Sequence, residues 1–203
     1  MVQRSLLILV GLLGVAWAGE FVNPVRGWEP GPHVISRAAW GAKPVLPGGT
    51  RQSVSRITIH HAGVATNRKR TFVDKMRGLQ AFSQREDKLA SGKTKPAWID
   101  IPYHYYIDWQ GQIAACRPVE WAGDTNTEYN PTGHLLICLE GDFTKEQPTA
   151  AQVASLIAFV REQRAWRGVP ADRVQTHRDF AETDCPGENL YKLLGLIRER
   201  STP

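Results

Sequence analysis

The chain has 203 residues, 42% of them hydrophobic, and carries 25 Lys and Arg against 20 Asp and Glu for a formal net charge of +5. That is enough apolar material for one domain with a sizeable core, and the lack of internal repeats or low-complexity tracts sets aside repeat arrays. The positive surplus suits anionic partners, but no nucleic-acid motif accompanies its densest cluster, Arg68-Lys69-Arg70. That cluster reads as a solvated loop, and no nucleic acid is expected as a partner.

Taken in chain order, the first 18 residues read as an export signal. Arg4 precedes a nearly unbroken apolar run from Leu6 to Val15, and Ala16-Trp17-Ala18 fits a small-x-small cleavage site. The run is shorter than the roughly 20 residues a transmembrane helix needs, so no stable membrane insertion is expected after signal cleavage. No cysteine occurs before Cys116, which excludes an acylated cysteine at that site. Residues 19–32, with several Gly and Pro, read as an extended lead-in, leaving 33–203 as the folded domain. The mature protein is expected to be exported, periplasmic or secreted, and monomeric.

Within the domain, Arg56 to His61, Tyr103 to Asp108, Gln112 to Cys116, His134 to Glu140 and Val174 to His177 read as strands, on their β-branched and aromatic residues. Phe72, Met76, Leu79 and Phe82 form one helical stripe. Thr149 with Gln152 three residues later is a capping box opening a helix that presents Val153, Leu156, Ile157 and Val160, with Arg164 and Arg167 near its end and Gly168 to close it. A last helix carries Leu190, Leu193, Leu194 and Ile197. Strands interleaved with helices predict an α/β domain with a central, mixed sheet flanked by helices.

The residues with most chemistry are His177 and Cys185, eight apart, together with His60 or His61 on the first strand. Two imidazoles and a thiolate suit one tetrahedral zinc with a position left open for water, the arrangement of a hydrolase. Pro186 and Gly187 suit the bend behind the cysteine. Singly, each residue also fits a plainer part: a surface histidine, or a buried apolar thiol.

The words around them occur in a set order: SRAAWGAKP, ITIHHAG, IPYHYYIDWQGQI, LLICLEGDF and THRDFAETDCPGENLY. The series, running from about Val34 to Tyr191, resembles the zinc amidase family of N-acetylmuramoyl-L-alanine amidases, phage lysozyme-type amidases and peptidoglycan recognition proteins. The resemblance implies that His60, His177 and Cys185 are the zinc ligands and that His61 points to the other face of its strand. It implies that Tyr103 stands beside the metal and that the Thr183 hydroxyl donates to the developing oxyanion. Glu140 matches a carboxylate used as general base in some branches; the alternative is a solvated carboxylate at a strand end. The implied reaction is hydrolysis of the amide between N-acetylmuramic acid and L-alanine, on peptidoglycan or muropeptides. The alternative function is a non-catalytic peptidoglycan-binding module, which Cys185 argues against, because family members of that kind lack the cysteine ligand.

The chain departs from the family at Trp121, which stands before Ala122-Gly123 where relatives commonly carry histidine. Trp121 stacks on a sugar or packs; with His61 and Asn126 it completes the expected substrate-binding set. His104 and His134 are expected to be hydrogen-bonded structural histidines. Cys116 and Cys138 form either a disulfide or two buried thiols.

Overall fold

The computed structural model describes residues 33–89 and 92–203, so the expected export signal and lead-in lie outside the described residues. Six strands form one sheet: β1 (Val34–Ile35), β2 (Arg56–His61), β5 (Tyr105–Ile107), β6 (Ile113–Ala115), β7 (His134–Leu139) and β8 (Val174–Thr176). Their order is β1-β6-β5-β7-β2-β8, and every pairing is parallel except β5 with β6. The fold is therefore the expected α/β arrangement around a mixed sheet. A separate antiparallel ribbon joins β3 (Asp87–Lys88) to β4 (Thr94–Lys95).

Strands covered on both faces need apolar side chains in both directions, and the six residues of β7, HLLICL, are all buried. On one face Ile57, Ile59, Leu135, Ile137 and Leu139 meet Leu156, Phe159 and Val160 of α3 (Ala150–Arg167). On the other, Tyr106, Ala114 and Cys138 meet Trp40 of α1 (Arg37–Trp40) and Phe72 and Met76 of α2 (Phe72–Ser83). Each buried Leu, Ile, Val, Phe or Met among them contributes on the order of 1.5–3 kcal/mol by leaving water.

Helix α3 starts as its capping box predicts. Thr149 Oγ1 accepts from Gln152 N at 3.1 Å, Gln152 Oε1 accepts from Thr149 N at 3.0 Å, and Gly168 closes the helix at φ 65°. Gln152 Nε2 also donates to the carbonyl of Glu140 at 2.8 Å, which ties this cap to the end of β7. The expected last helix is two segments, α4 (Glu188–Tyr191) and α5 (Leu194–Arg200). Leu190, Leu194 and Ile197 are buried, and the break at Lys192-Leu193 turns the second segment onto α3 and β8.

Cys116 and Cys138 are free thiols, both buried. Strand β5 runs between β6 and β7, which holds the two strands about 9–10 Å apart, beyond the roughly 7 Å limit for a disulfide.

Candidate metal centre

Strands β2, β7, β5 and β8 run parallel, so their carboxyl ends share one edge of the sheet, where open α/β folds place their sites. His60 and His61 end β2. Successive strand residues alternate in direction, so His60 shares a face with Thr58 and with Cys138, its register partner, while His61 shares the α3 face with Ile57 and Ile59.

His177 follows β8 directly, at the start of a 3-10 turn. The Asp179 carboxylate secures that turn, accepting from Thr176 N at 2.7 Å and from Thr176 Oγ1 at 3.0 Å. The chain then folds back, and Arg178 N donates to the Cys185 carbonyl at 3.0 Å. The Arg178 guanidinium holds the same loop through Glu188 at 2.9 Å and the Asp184 carbonyl at 3.2 Å. Gly187 closes it at φ 83°, where a Cβ would lie 2.3 Å from the Phe143 carbonyl carbon.

These devices bring His60, His177 and Cys185 together, with one candidate ligand atom from each within 4.8 Å of the others. Their exposures are 2%, 8% and 8%. Cys185 Sγ stands 3.6 Å from His60 Nδ1, and the two imidazole centroids are 4.7 Å apart. Zinc–nitrogen and zinc–sulfur bonds of about 2.1 and 2.3 Å place tetrahedral N and S ligands about 3.6 Å apart, so the observed spacing fits. His60 Nε2 is buried without a hydrogen-bond partner.

Burial dominates the electrostatics. It holds His60 well below the ordinary imidazole range, with His177 adding to the effect, and takes His177 down to about 4. It pushes the Cys185 thiol up to about 12, partly offset by the His61 N–H that donates to Sγ at 3.4 Å. The cluster thus offers two neutral imidazoles and one sulfur with no carboxylate among them, a donor set that fits a soft or borderline divalent cation.

The triad lines a cavity of about 240 Å³ that also receives Tyr103, Thr183, His61 and Asn126. The Tyr103 ring is 5.2 Å from that of His60, and burial keeps its phenol well above the usual range, hence protonated. Thr183 Oγ1 accepts from Cys185 N at 3.2 Å, which leaves its own hydroxyl hydrogen to donate. His61 Nδ1 accepts from Phe143 N at 3.2 Å. Asn126 is exposed at the rim, where this cavity meets a neighbouring one of about 650 Å³.

Glu140 lines the neighbouring cavity and not the one around the triad. It is neither solvated nor free: Lys75 Nζ lies 2.8 Å from Oε1 and 2.9 Å from Oε2, and Asn67 N and Trp109 N donate to it at 3.1 and 3.3 Å. Trp121 lines neither cavity, and the Arg51 guanidinium stacks 4.0 Å above its ring. His104 accepts from Leu136 N at 2.8 Å and meets the Trp121 carbonyl at 2.9 Å, and His134 Nδ1 meets Thr58 Oγ1 at 2.9 Å.

Residues 50–188 match the family model described as N-acetylmuramoyl-L-alanine amidase, and that span is most of the chain. The chain belongs to the N-acetylmuramoyl-L-alanine amidase and peptidoglycan-recognition-protein family. It is 28% identical over 194 residues to peptidoglycan-recognition protein SD of Drosophila simulans, a match covering 93% of this chain and 92% of that one. It is 27% identical over 188 residues to an N-acetylmuramoyl-L-alanine amidase of Sus scrofa, covering 87% of this chain but only 29% of that longer protein. Among solved structures, Drosophila peptidoglycan recognition protein SD superposes with a TM-score of 0.67 at 25% identity, covering 79% of this chain and 92% of that one.

Lys75, Thr125 and Thr127 escaped the sequence reading. Lys75 lies on the apolar face of α2, three residues after Phe72 and four before Leu79, where periodicity expects an apolar side chain and gives a buried charge no signal; the two threonines sit in a polar loop with no periodicity to mark them.

Proposed function

We propose that this protein is an exported zinc-dependent hydrolase that cleaves the amide between N-acetylmuramic acid and L-alanine in peptidoglycan or its fragments. The observation that carries the reading is the convergence of two imidazoles and a thiol, 117 to 125 residues apart in sequence for the pairs with His60, onto one buried point beside an open cavity. A family member that only binds needs no such donor set, so the intact triad favours the enzyme over a recognition module.

His60, His177 and Cys185 would hold the ion, and the chemistry it supplies is Lewis acidity toward a carbonyl and toward water. The parallel strand ends fix the two imidazoles, and the loop closed by Arg178 and Gly187 fixes the sulfur, so little reorganisation is left to the chemical step. Thr183 donates its hydroxyl to charge developing on the carbonyl oxygen. Tyr103, kept protonated by burial, lines the same cavity and orients the water or stabilises the same oxyanion. His61 and Asn126 bound the space in which the substrate sits. Glu140 is a candidate proton acceptor reached through the adjoining cavity, oriented by Lys75 against both of its oxygens. Among the described residues no helix is long and apolar enough to cross a membrane.

The experiment is a digest of defined muropeptides by the full-length chain and its Cys185→Ala variant, with metal content measured on both. The expected result is about one zinc per chain and release of peptides with a free L-alanine amino terminus, both lost in the variant. Cuts confined to glycosidic bonds or to bonds inside the stem peptide would overturn the assignment.

A further inference from the structure

The loop carrying Thr125 and Thr127 contributes no ligand to the triad, yet it reaches one of its members. Thr127 Oγ1 lies 2.6 Å from His177 Nε2, and Thr125 Oγ1 lies 2.7 Å from Thr127 Oγ1. Thr125 Oγ1 additionally accepts from Thr127 N at 3.1 Å, which holds the two hydroxyls in line. The imidazole also meets an aromatic ring. The Tyr129 ring is 5.1 Å from the His177 ring and stacks on Phe180 at 5.7 Å.

A neutral imidazole carries one proton, and it offers a metal only the nitrogen that lacks it. Hydroxyls donate or accept, so this chain can run either way; the direction that leaves Nδ1 free for a metal runs from His177 Nε2–H to Thr127 Oγ1 and from the Thr127 hydroxyl to Thr125 Oγ1. Nδ1 is then the bare nitrogen. Consecutive hydroxyl bonds polarise one another, so this partly buried relay reinforces the direction the imidazole sets, which with Nδ1 left for a metal is donation from Nε2–H.

We infer that the Thr125–Thr127 hydroxyl relay fixes the tautomer and orientation of His177, making Thr127 a positioning residue that sets the metal affinity of the site. The inference rests on the zinc reading given above. Its competitor is a purely structural Thr127 that satisfies a buried nitrogen; loss of the hydroxyl would then lower stability and leave affinity alone.

The test measures zinc affinity of the full-length chain by competition with a chromophoric chelator at neutral pH, for wild type, Thr127→Val and Thr127→Ser. Outer partners of metal-bound histidines are worth about 10- to 100-fold in affinity, so Thr127→Val should bind zinc weaker by that factor. Thr127→Ser, which keeps the hydroxyl, should stay within a few-fold of wild type. Imidazole nitrogen spectra of the metal-free protein give a second readout: His177 is expected as the Nε2–H form in wild type and as a tautomer mixture in Thr127→Val. Wild-type affinity in a folded Thr127→Val overturns the inference while leaving the zinc reading intact. Should wild type itself take no zinc, the metal reading falls, and the spectra alone decide: an Nε2–H His177 supports the relay and an Nδ1–H form overturns it. If Thr127→Val fails to fold by circular dichroism, Thr125→Ala replaces it, with a loss of several-fold expected and unchanged affinity overturning the proposal.

Discussion

The ion pair between Lys75 and Glu140 is the place where this fold should be most sensitive to a single side chain. Both groups are buried, at 9% and 3% exposure, and the ammonium sits against both carboxylate oxygens at 2.8 and 2.9 Å. At a separation of roughly 3 Å and an effective dielectric of about 20, their attraction is on the order of 5.5 kcal/mol. Taking each ion out of water costs several kcal/mol, so the pair contributes little net stability while intact. Removing one member is different, because it strands the other charge. Lys75→Met should therefore destabilise the protein by about 3–5 kcal/mol in urea unfolding. Lys75→Met with Glu140→Gln should recover part of that loss, since no charge is stranded and the glutamine oxygen still accepts from one of the two backbone donors, Asn67 N or Trp109 N. A coupling of about 2 kcal/mol or more between the two sites is the expected outcome of the double-mutant cycle. A Lys75→Met protein within about 1 kcal/mol of wild type, or strict additivity in the cycle, would refute the reasoning. The same variants address catalysis: if Glu140 accepts the proton, Glu140→Gln should slow turnover by about 10²- to 10⁴-fold with zinc content unchanged.

His104 gives a prediction about pH. Burial lowers its folded pKa to about 3 from an ordinary 6.5, so between those values the unfolded chain binds a proton that the folded chain refuses. Its contribution is fully present above pH 6.5 and is lost as pH falls, at up to about 1.4 kcal/mol per unit until pH nears 3. Urea unfolding of wild type and His104→Gln from pH 7 to pH 4 should show a shallower acid loss in the variant, and parallel curves would remove His104 from the account. Gly187→Ala should cost more than about 1 kcal/mol by thermal denaturation, because the left-handed backbone and the 2.3 Å approach to Phe143 both oppose a Cβ. Since Gly187 also fixes the loop that carries Cys185, its zinc affinity should drop in parallel; an unchanged melting temperature would contradict the packing argument.

The sequence made the sheet legible through residue pattern and the helices through their caps. Strand β2 and strand β7 stand out because parallel pairing buries both faces and favours unbroken runs such as Ile57-Thr58-Ile59 and Leu135 to Leu139. Helix α3 was readable to its ends, because a Thr-x-x-Gln start and a glycine stop are local chemistry. The pieces that escaped are short. β1 has two residues and exists only because β6 is there to pair with it, and α1 is a single turn that buries Trp40 against the second core. The β3–β4 ribbon is held partly by Lys95, whose ammonium donates to the carbonyls of Ser83, Arg85 and Pro96, a tertiary arrangement no periodicity announces.

The site divides along the same line. Its ligands were legible because metal-binding residue types are few and the words around them resemble the amidase family; residue type and strand pattern alone leave His60 and His61 as alternatives, and Cys185 lies in a loop. Their neighbours were not, because a positioning residue is defined by what it touches. Glu140 shows the difference. In sequence it is a carboxylate ending a strand, equally suited to water or to catalysis. In the fold the register of β7 with β2 turns it to the face of Cys138, where α2 covers it and supplies Lys75. Burial then forbids a free charge, so the lysine at that turn of α2 follows from the glutamate as closely as the core leucines follow from the sheet. The same reasoning reaches Thr127: once His177 is buried with one nitrogen committed to the triad, the other must meet a hydrogen-bonding group, and the 125–127 loop is where the chain provides it.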